Sequence, residues 1–190
     1  MSKGKLVVVS GPSGAGKTSV MQRVYQTCRV PLVRSVSATT RPPRNDERDG
    51  VDYHFVSEEE FQSRQRGGKF LECFEVFGKG HWYGTLKSEV TTGLAAGKWV
   101  VLEIDVQGAL AVIERFPDAV TIFLQPSTRE ELERRLRGRG TETQQAIGQR
   151  LARADGELAL AGRYQYQVIN DNMDQAVQDI CRILTSQYNK

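Results

Sequence analysis

The stretch that decides the fold lies near the beginning of the chain and reads Gly11-Pro12-Ser13-Gly14-Ala15-Gly16-Lys17-Thr18. It matches the pattern G-x-x-x-x-G-K-[ST] without a mismatch. In this pattern the glycines let backbone N–H groups surround a phosphate, the lysine reaches the terminal phosphates, and the threonine hydroxyl can bind Mg²⁺. A glycine-rich turn that matches by chance is the alternative. An apolar run before the stretch and helical spacing after it favour a phosphate-binding loop.

Strands and helices alternate along the chain, which predicts an α/β fold with a parallel sheet covered by helices on both faces. The predicted strands are residues 6–9, 32–38, 53–55, 70–77, 99–104, 120–124 and 166–169. Helices are expected after the strands, including residues 17–28, 58–66, 129–137, 142–161 and 173–187. Ser57 is the expected N-cap of the second of these helices. Residues 38–85 interrupt the alternation, and we interpret them as an inserted subdomain.

Composition excludes several classes of protein. The chain has 190 residues, 39% hydrophobic and 26% charged, which is typical of one soluble globular domain. Its formal charge of +3 is too small to indicate a nucleic-acid-binding surface. Three cysteines without a C-x-x-C pair argue against a disulfide framework and a cysteine zinc site. Because no apolar run has the length of a signal peptide core or a membrane span, we expect a cytoplasmic protein without a membrane partner.

Acidic residues end a buried strand at residues 100–105, which read V-V-L-E-I-D. The carboxyl ends of strands face the ligand crevice in open α/β sheets. Asp105 therefore resembles the Walker B aspartate, which acts on Mg²⁺ through water. A helix cap is the alternative for Asp105, and Glu103 is a second candidate for the metal.

The inserted subdomain carries candidate groups for a second substrate. Arg41 and Arg44 lie on a proline-braced segment, where two planar guanidinium groups can clamp a monophosphate. Tyr53 and Tyr83 can add hydroxyl donors. Glu72 lies inside an apolar run; it is either a solvent-facing carboxylate of an edge strand or an acceptor for the N1–H and exocyclic amine of guanine. Adenine offers no such pair of donors, so a buried carboxylate discriminates strongly between the two bases.

Taken together, seven segments resemble the guanylate kinase family, from about residue 5 to residue 183. They read GPSGAGKTS, SVSATTRPPRNDERDGVDYHFVS, FLECFEVFG, WYGT, LEIDVQGA, ELERRLRGRGTET and VINDN. The resemblance implies ATP-dependent phosphorylation of GMP, and of dGMP, by direct in-line transfer. It implies Mg²⁺ as cofactor, the nucleotides as the only partners, and neither nucleic acid nor an obligatory protein partner.

The resemblance also implies site residues. The catalytic set is Lys17, Arg41, Asp105, Arg139 and Arg150. ATP contacts are expected from Gly11, Pro12, Ser13, Gly14, Ala15, Gly16, Lys17, Thr18, Ser19, Arg139 and Asn170, the last near the adenine. GMP contacts are expected from Ser37, Arg41, Arg44, Glu47, Tyr53, Glu72, Tyr83, Thr85, Glu103 and Asp105, with Glu47 bracing the arginines. Thr18, and Asp105 through water, are expected to hold Mg²⁺.

The family's fold has three parts, which predicts boundaries for this chain. The core comprises about 1–36, 86–128 and 154–190, the GMP-binding insert 37–85, and the lid 129–153. Residues 129–153 contain seven arginines and four glutamates, so they carry a net +3, the same surplus as the whole chain. We interpret this as a local arginine cluster for a polyphosphate, with some arginines on solvated helix faces.

The sequence departs from the family's pattern in two places. The turn before Tyr83 is longer than the family's usual turn, and we align Tyr83-Gly84-Thr85 with the family's Tyr-Gly-Ser/Thr motif. Near the C-terminus, Tyr164-Gln165-Tyr166-Gln167 replaces the more usual Tyr-Asp-Tyr. The alternative functions are a non-catalytic guanylate-kinase-like binding module and a kinase of another small acceptor. Intact Lys17 and Thr18 argue against the first, and Glu72 with Thr85 argues against the second.

Overall fold

The computed structural model describes residues 4–76, 80–138 and 144–189. In that part of the chain the strands are β1 Lys5–Ser10, β2 Leu32–Arg34, β3 Ala38–Thr39, β4 His54–Phe55, β5 Phe70–Val76, β6 His81–Leu86, β7 Trp99–Glu103, β8 Val120–Gln125 and β9 Tyr166–Ile169. The α-helices are α1 Lys17–Thr27, α2 Glu58–Arg66, α3 Lys87–Ala95, α4 Val106–Arg115, α5 Arg129–Arg137, α6 Gln144–Leu158 and α7 Met173–Tyr188. A short 3₁₀ helix spans Ala161–Arg163.

The larger sheet has five strands in the order β2-β7-β1-β8-β9. Strands β2 and β7 pair in parallel, with Val33 opposite Val100, and β8 and β9 pair in parallel, with Leu124 opposite Val168. The apolar run of β1 is fully buried, as expected for a strand of a parallel sheet that is covered on both faces. The predicted α/β fold with a parallel sheet is confirmed.

The smaller sheet has four strands in the order β4-β3-β6-β5 and is mixed. Strand β3 is parallel to β4 and antiparallel to β6, and β5 is antiparallel to β6. Phe61 of α2 stacks on Phe70 of β5, with ring centroids 4.4 Å apart, in an apolar cluster with Ala38 and Leu86. Helix α2 begins as predicted, because the Ser57 hydroxyl accepts a hydrogen bond from the Glu60 N–H at 3.1 Å.

The chain divides into two compact units. The first comprises Met1–Val7 and Leu32–Ala119 and contains the whole smaller sheet. The second comprises Val8–Pro31 and Val120–Lys190 and contains α1, α5, α6 and α7. In the second unit an apolar cluster joins α5 to α6; its members are Leu132, Leu136, Ile147, Leu151 and Ala154.

The sequence prediction of one strand over residues 32–38 is wrong. Strand β2 ends at Arg34 in the larger sheet, and β3 begins at Ala38 in the smaller one. Between them Ser35 still donates its N–H to the Val101 carbonyl at 2.9 Å, while the Ser37 carbonyl accepts from the His54 N–H at 2.9 Å. Residues 35–38 alternate polar and apolar side chains as a strand would. This alternation does not reveal that the two halves of residues 32–38 pair in different sheets. Strand β6 and helix α3 were not predicted.

Within residues 4–76, 80–138 and 144–189, no helix combines the length and apolar character needed to cross a bilayer.

Candidate functional site

The phosphate-binding loop lies in the second unit between β1 and α1. Its glycines adopt positive φ values: 146° at Gly11, 92° at Gly14 and 84° at Gly16. A Cβ on Gly11 would lie 1.9 Å from the Leu124 carbonyl oxygen, so only glycine fits there. Helix α1 begins at Lys17, and no acidic side chain lies in its first turn. The loop therefore presents the positive end of a helix dipole, as an anion site requires.

Lys17 folds back onto its own loop. Its Nζ donates to the carbonyl oxygens of Gly11 at 2.6 Å and Pro12 at 3.1 Å. Thr18 and Ser19 are exposed at the start of α1. The Lys17 ammonium group thus lies beside Gly11 and Pro12, two of the loop residues predicted to hold ATP.

Asn170 braces the phosphate-binding loop from behind. Its side-chain Nδ2 donates to the Ala15 carbonyl at 2.7 Å, and the residue is buried. A Cβ on Gly16 would lie 2.6 Å from this Nδ2, so the amide fills the space that glycine leaves. The expected contact of Asn170 with adenine stays a prediction. Sequence reasoning missed Arg135, whose Nη2 donates to the Asn170 carbonyl at 2.5 Å.

Most of the arginines at residues 129–153 are paired with acids. In the described part of this segment these pairs are Arg129 with Asp155, Arg134 and Arg135 with Glu131, Arg137 with Glu133, and Arg153 with Glu157. Hydrogen bonds from Arg134 and Arg135 lower the pKa of Glu131 to about 2. The cluster is therefore less positive toward a ligand than its composition implies.

Arg150 is the arginine that reaches the phosphate-binding loop in the described part of α6. Its Nη2 donates to the Ser13 hydroxyl at 2.8 Å. The ATP-side role of Arg150 stays a prediction. Arg139, the other arginine predicted for that role, lies outside the described residues.

A second cluster of charged groups lies in the first unit, around Arg41. Its Nη2 contacts Glu47 Oε1 at 2.9 Å, and its Nε donates to the Tyr83 hydroxyl at 3.0 Å. Glu47 Oε2 accepts from the Arg44 N–H at 2.8 Å, so this carboxylate braces both arginine positions as predicted. Tyr53 lies under the Arg41 guanidinium at 5.6 Å.

The charges of this cluster are fixed by their contacts. The hydrogen bond from Arg41 holds the pKa of Glu47 below its usual value. Burial by itself would lower the pKa of Arg41, but the bonds to Glu47 and Tyr83 raise it overall. The Arg44 side chain is 69% exposed, and its Nη1 lies 3.9 Å from Glu47 Oε1. The arrangement is suited to hold a phosphate monoester.

Glu72 does not face solvent, although β5 is an edge strand. Its Oε1 accepts hydrogen bonds from the Thr85 N–H at 3.0 Å and from the Thr85 hydroxyl at 2.5 Å. Burial, together with the nearby charge of Asp105, raises the pKa of Glu72 to about 7, although the hydrogen bonds from Thr85 lower it. The carboxylate is thus a positioned, desolvated acceptor, as selective recognition of a base requires.

The two candidate metal residues have structural contacts of their own. Asp105 is the N-cap of α4, and its Oδ1 accepts from the Gly108 N–H at 2.8 Å, so the cap interpretation is confirmed. Glu103 contacts Arg34 at 3.4 Å. Among the described residues, no group of three or more His, Cys, Asp or Glu side chains could hold a metal ion. The Mg²⁺ role of Asp105 stays a prediction.

The comparisons agree on one family. The sequence profile of the family described as guanylate kinase matches residues 3–187. A guanylate kinase of Rhodopirellula baltica is 55% identical over 185 residues, which are 97% of this chain and 88% of that protein. The chain belongs to the guanylate kinase family. A guanylate kinase of Fusobacterium nucleatum is 46% identical over 97% of both chains.

Solved structures agree with this family. The crystal structure of guanylate kinase from Anaplasma phagocytophilum superposes with a TM-score of 0.82 at 31% identity, over 100% of this chain and 89% of that one. A shikimate kinase from Bacteroides thetaiotaomicron, 16% identical with a TM-score of 0.51 over 95% of this chain and 98% of that one, shares the fold.

For this guanylate kinase family member, the structure also gives the register of β6 against β5. Tyr83 lies opposite Phe74, and Thr85 lies opposite Glu72. The alignment of Tyr83-Gly84-Thr85 with the family's motif stays a prediction.

Proposed function

We propose that this protein transfers the γ-phosphate of ATP to GMP, and to dGMP, producing ADP and the nucleoside diphosphate. The observation that carries the proposal is the half-buried Glu72 carboxylate, which Thr85 holds beside the Arg41 cluster. Tyr83 and Thr85 are two residues apart on β6, so their side chains share one face of the smaller sheet. One face therefore offers both an acceptor for a base and a cation for a phosphate.

Base selection rests on the acceptor character of Glu72. An ionised carboxylate accepts hydrogen bonds and donates none, so it matches the N1–H and exocyclic amine of guanine. Adenine has an unprotonated N1 and would leave the carboxylate unpaired. An unpaired buried charge is strongly unfavourable, which supports discrimination by several orders of magnitude. Ser37 and Thr85 complete the proposed base contacts.

The phosphate of GMP is assigned to Arg41, Arg44, Tyr53 and Tyr83. Glu47 prepares this group, because its two oxygens fix the Arg41 guanidinium and the Arg44 backbone before a ligand arrives. Preorganised donors need little rearrangement when charge develops on the substrate. We assign Glu103 and Asp105 to the same nucleotide.

ATP is assigned to the phosphate-binding loop of the second unit. Its inward-turned backbone and the start of α1 surround the phosphates, and Lys17 leaves its present contacts with Gly11 and Pro12 to reach them. Arg150, which contacts Ser13, and Arg139 stabilise charge on the transferred group. The Asn170 brace keeps the loop in shape on its inner side.

The chemistry is a single displacement. An oxygen of the GMP phosphate attacks the γ-phosphorus of ATP, a new P–O bond forms, and the bond to the ADP oxygen breaks with its electron pair. No residue becomes covalently attached, and the attacking oxygen is already deprotonated, so no general base is required. The protein contributes orientation and charge neutralisation through Lys17 and the arginines.

Mg²⁺ fits the oxygen groups that the chain provides. Thr18 offers an exposed hydroxyl, and Asp105 offers a carboxylate. This suits an ion that binds through few protein groups and keeps waters and substrate phosphates as ligands. When bound, it neutralises phosphate charge.

The division of the chain into a core, a GMP-binding insert and a lid, and a location in the cytoplasm, are part of the same proposal. The smaller sheet carries Glu72, Tyr83 and Thr85, three of the residues assigned to GMP, which supports an insert over residues 37–85. The thiols of Cys28, Cys73 and Cys181 are free, which supports a reducing compartment such as the cytoplasm.

A coupled assay of ADP release tests the proposal with ATP and GMP, dGMP, AMP, CMP or UMP as acceptor. We expect turnover with GMP and dGMP and little with the others. Equal turnover of AMP and GMP would contradict the guanine assignment. A folded protein that turns over no acceptor would instead favour the non-catalytic binding module.

A further inference from the structure

Helix α4 contains a glycine that its own backbone does not need. Gly108 is the third residue of the helix and is not among the glycines with positive φ. Alanine is the better helix former at such a position, because glycine loses more conformational freedom when the helix forms. A reason for glycine at this position must therefore lie outside the helix.

The space next to Gly108 is occupied by carboxylate groups. A Cβ added to Gly108 would lie 2.8 Å from Glu72 Oε2, 3.2 Å from Glu72 Cδ and 3.4 Å from Asp105 Oδ1. The first of these distances is shorter than real Cβ contacts. A methyl group here would therefore displace the Glu72 side chain or the start of the helix.

Each of these two displacements would cost free energy, because it would disturb existing hydrogen bonds. Glu72 Oε1 is held on the other side by both donors of Thr85, so moving the carboxylate strains or breaks these hydrogen bonds. The start of the helix is held by Asp105, whose Oδ1 caps the Gly108 N–H. The Glu72 carboxylate thus lies between the two donors of Thr85 on one side and the Cα of Gly108 on the other.

We propose that Gly108 is a positioning residue for base selection, because its missing side chain leaves the space in which the Glu72 carboxylate is aimed at guanine. This inference rests on the proposed function. Gly108 acts through Glu72 and touches neither reacting phosphate. Alanine at this position lowers kcat/KM for GMP and leaves the KM for ATP unchanged.

The test compares Gly108→Ala with Gly156→Ala, a matched control inside α6 where an added Cβ meets nothing within 4 Å. We expect kcat/KM for GMP to fall by about tenfold or more in Gly108→Ala, because a positioned acceptor is lost. The KM for ATP should stay within about twofold of wild type, as should both parameters in Gly156→Ala. Equal GMP kinetics in the two variants would overturn the proposal.

A double-mutant cycle separates this role from a general packing defect. In a Glu72→Ala background no carboxylate remains to be displaced, so adding Gly108→Ala should cause no further loss with GMP. If the double variant loses kcat/KM for GMP by the product of the two single losses, Gly108 acts independently of Glu72 and the proposal is overturned. If Gly108→Ala alone fails to fold, the double variant should fold again, as measured by a cooperative thermal unfolding transition. A double variant that stays unfolded also overturns the proposal.

The same experiments separate this inference from the function on which it rests. Wild-type protein that does not phosphorylate GMP contradicts the proposed function. Wild-type protein that does so, together with an unaffected Gly108→Ala variant, contradicts only the role of Gly108.

Discussion

Glu72 and Thr85 lie opposite each other on β5 and β6, and one carboxylate oxygen of Glu72 accepts from both the N–H and the hydroxyl of Thr85. A carboxylate oxygen has two lone pairs, so both are engaged in the free protein. Under the proposed function, a guanine N–H directed at this oxygen would replace the Thr85 hydroxyl as donor.

The first prediction concerns the pH dependence of GMP binding. Burial raises the pKa of Glu72 to about 7, and only the ionised form accepts both guanine donors. The KM for GMP should therefore rise as the pH falls below about 7, approaching about tenfold per unit at the acid end. Initial rates at saturating ATP between pH 5.5 and 8.5 measure this.

The control for this prediction is Glu72→Gln. The second pKa of a phosphate monoester is about 6, so GMP itself titrates in the same range. The variant retains that titration and loses the titration of Glu72, so its KM profile should be flatter than that of wild type. Identical profiles would show that the carboxylate does not control binding.

The second prediction concerns stability. The pKa of Glu72 is about 7 in the folded protein against 4.5 as its reference value, so Glu72 favours folding while protonated. This contribution is present below about pH 4.5 and is lost as the pH rises through about 7. Glu72→Gln should therefore stabilise the free protein at pH 8, by on the order of 3 kcal/mol at most, and hardly change it at pH 4.5. Urea unfolding at the two pH values measures the difference; an effect of equal size at both would refute it.

How far the sequence predicts this site depends on whether the information is local. The phosphate-binding loop and the Ser57 cap of α2 were predicted correctly, since each depends on neighbouring residues. The Glu131–Arg135 pair also follows from i,i+4 spacing. The contact between Arg129 and Asp155 could not be foreseen, because 26 residues separate the partners. The same holds for Gly108 and Glu72, which meet only through the packing of α4 near β5.

The third prediction concerns the brace of the arginine cluster. Glu47→Ala removes the partner of a guanidinium that is 14% exposed and frees the Arg44 backbone. We expect a loss of about 1–3 kcal/mol in the free energy of unfolding and a higher KM for GMP, with the KM for ATP unchanged.

The matched control is Glu60→Ala on α2. Glu60 pairs with Arg64 on a solvent-exposed helix face, where ion pairs contribute at most about 1 kcal/mol. Unfolding by urea and steady-state kinetics should separate the two variants. Equal losses of stability together with normal GMP kinetics in Glu47→Ala would contradict the bracing role.

The fourth prediction concerns the support of the phosphate-binding loop. Asn170→Ala removes the buried hydrogen bond to the Ala15 carbonyl, so we expect the KM for ATP to rise and the free energy of unfolding to fall by about 1–3 kcal/mol. Asn172→Ala is the control, because Asn172 caps α7 and its loss costs about 1 kcal/mol without touching the loop. The KM for GMP should stay unchanged in both variants. Loss of stability without a change in ATP kinetics in Asn170→Ala would mean that the loop keeps its shape without this amide.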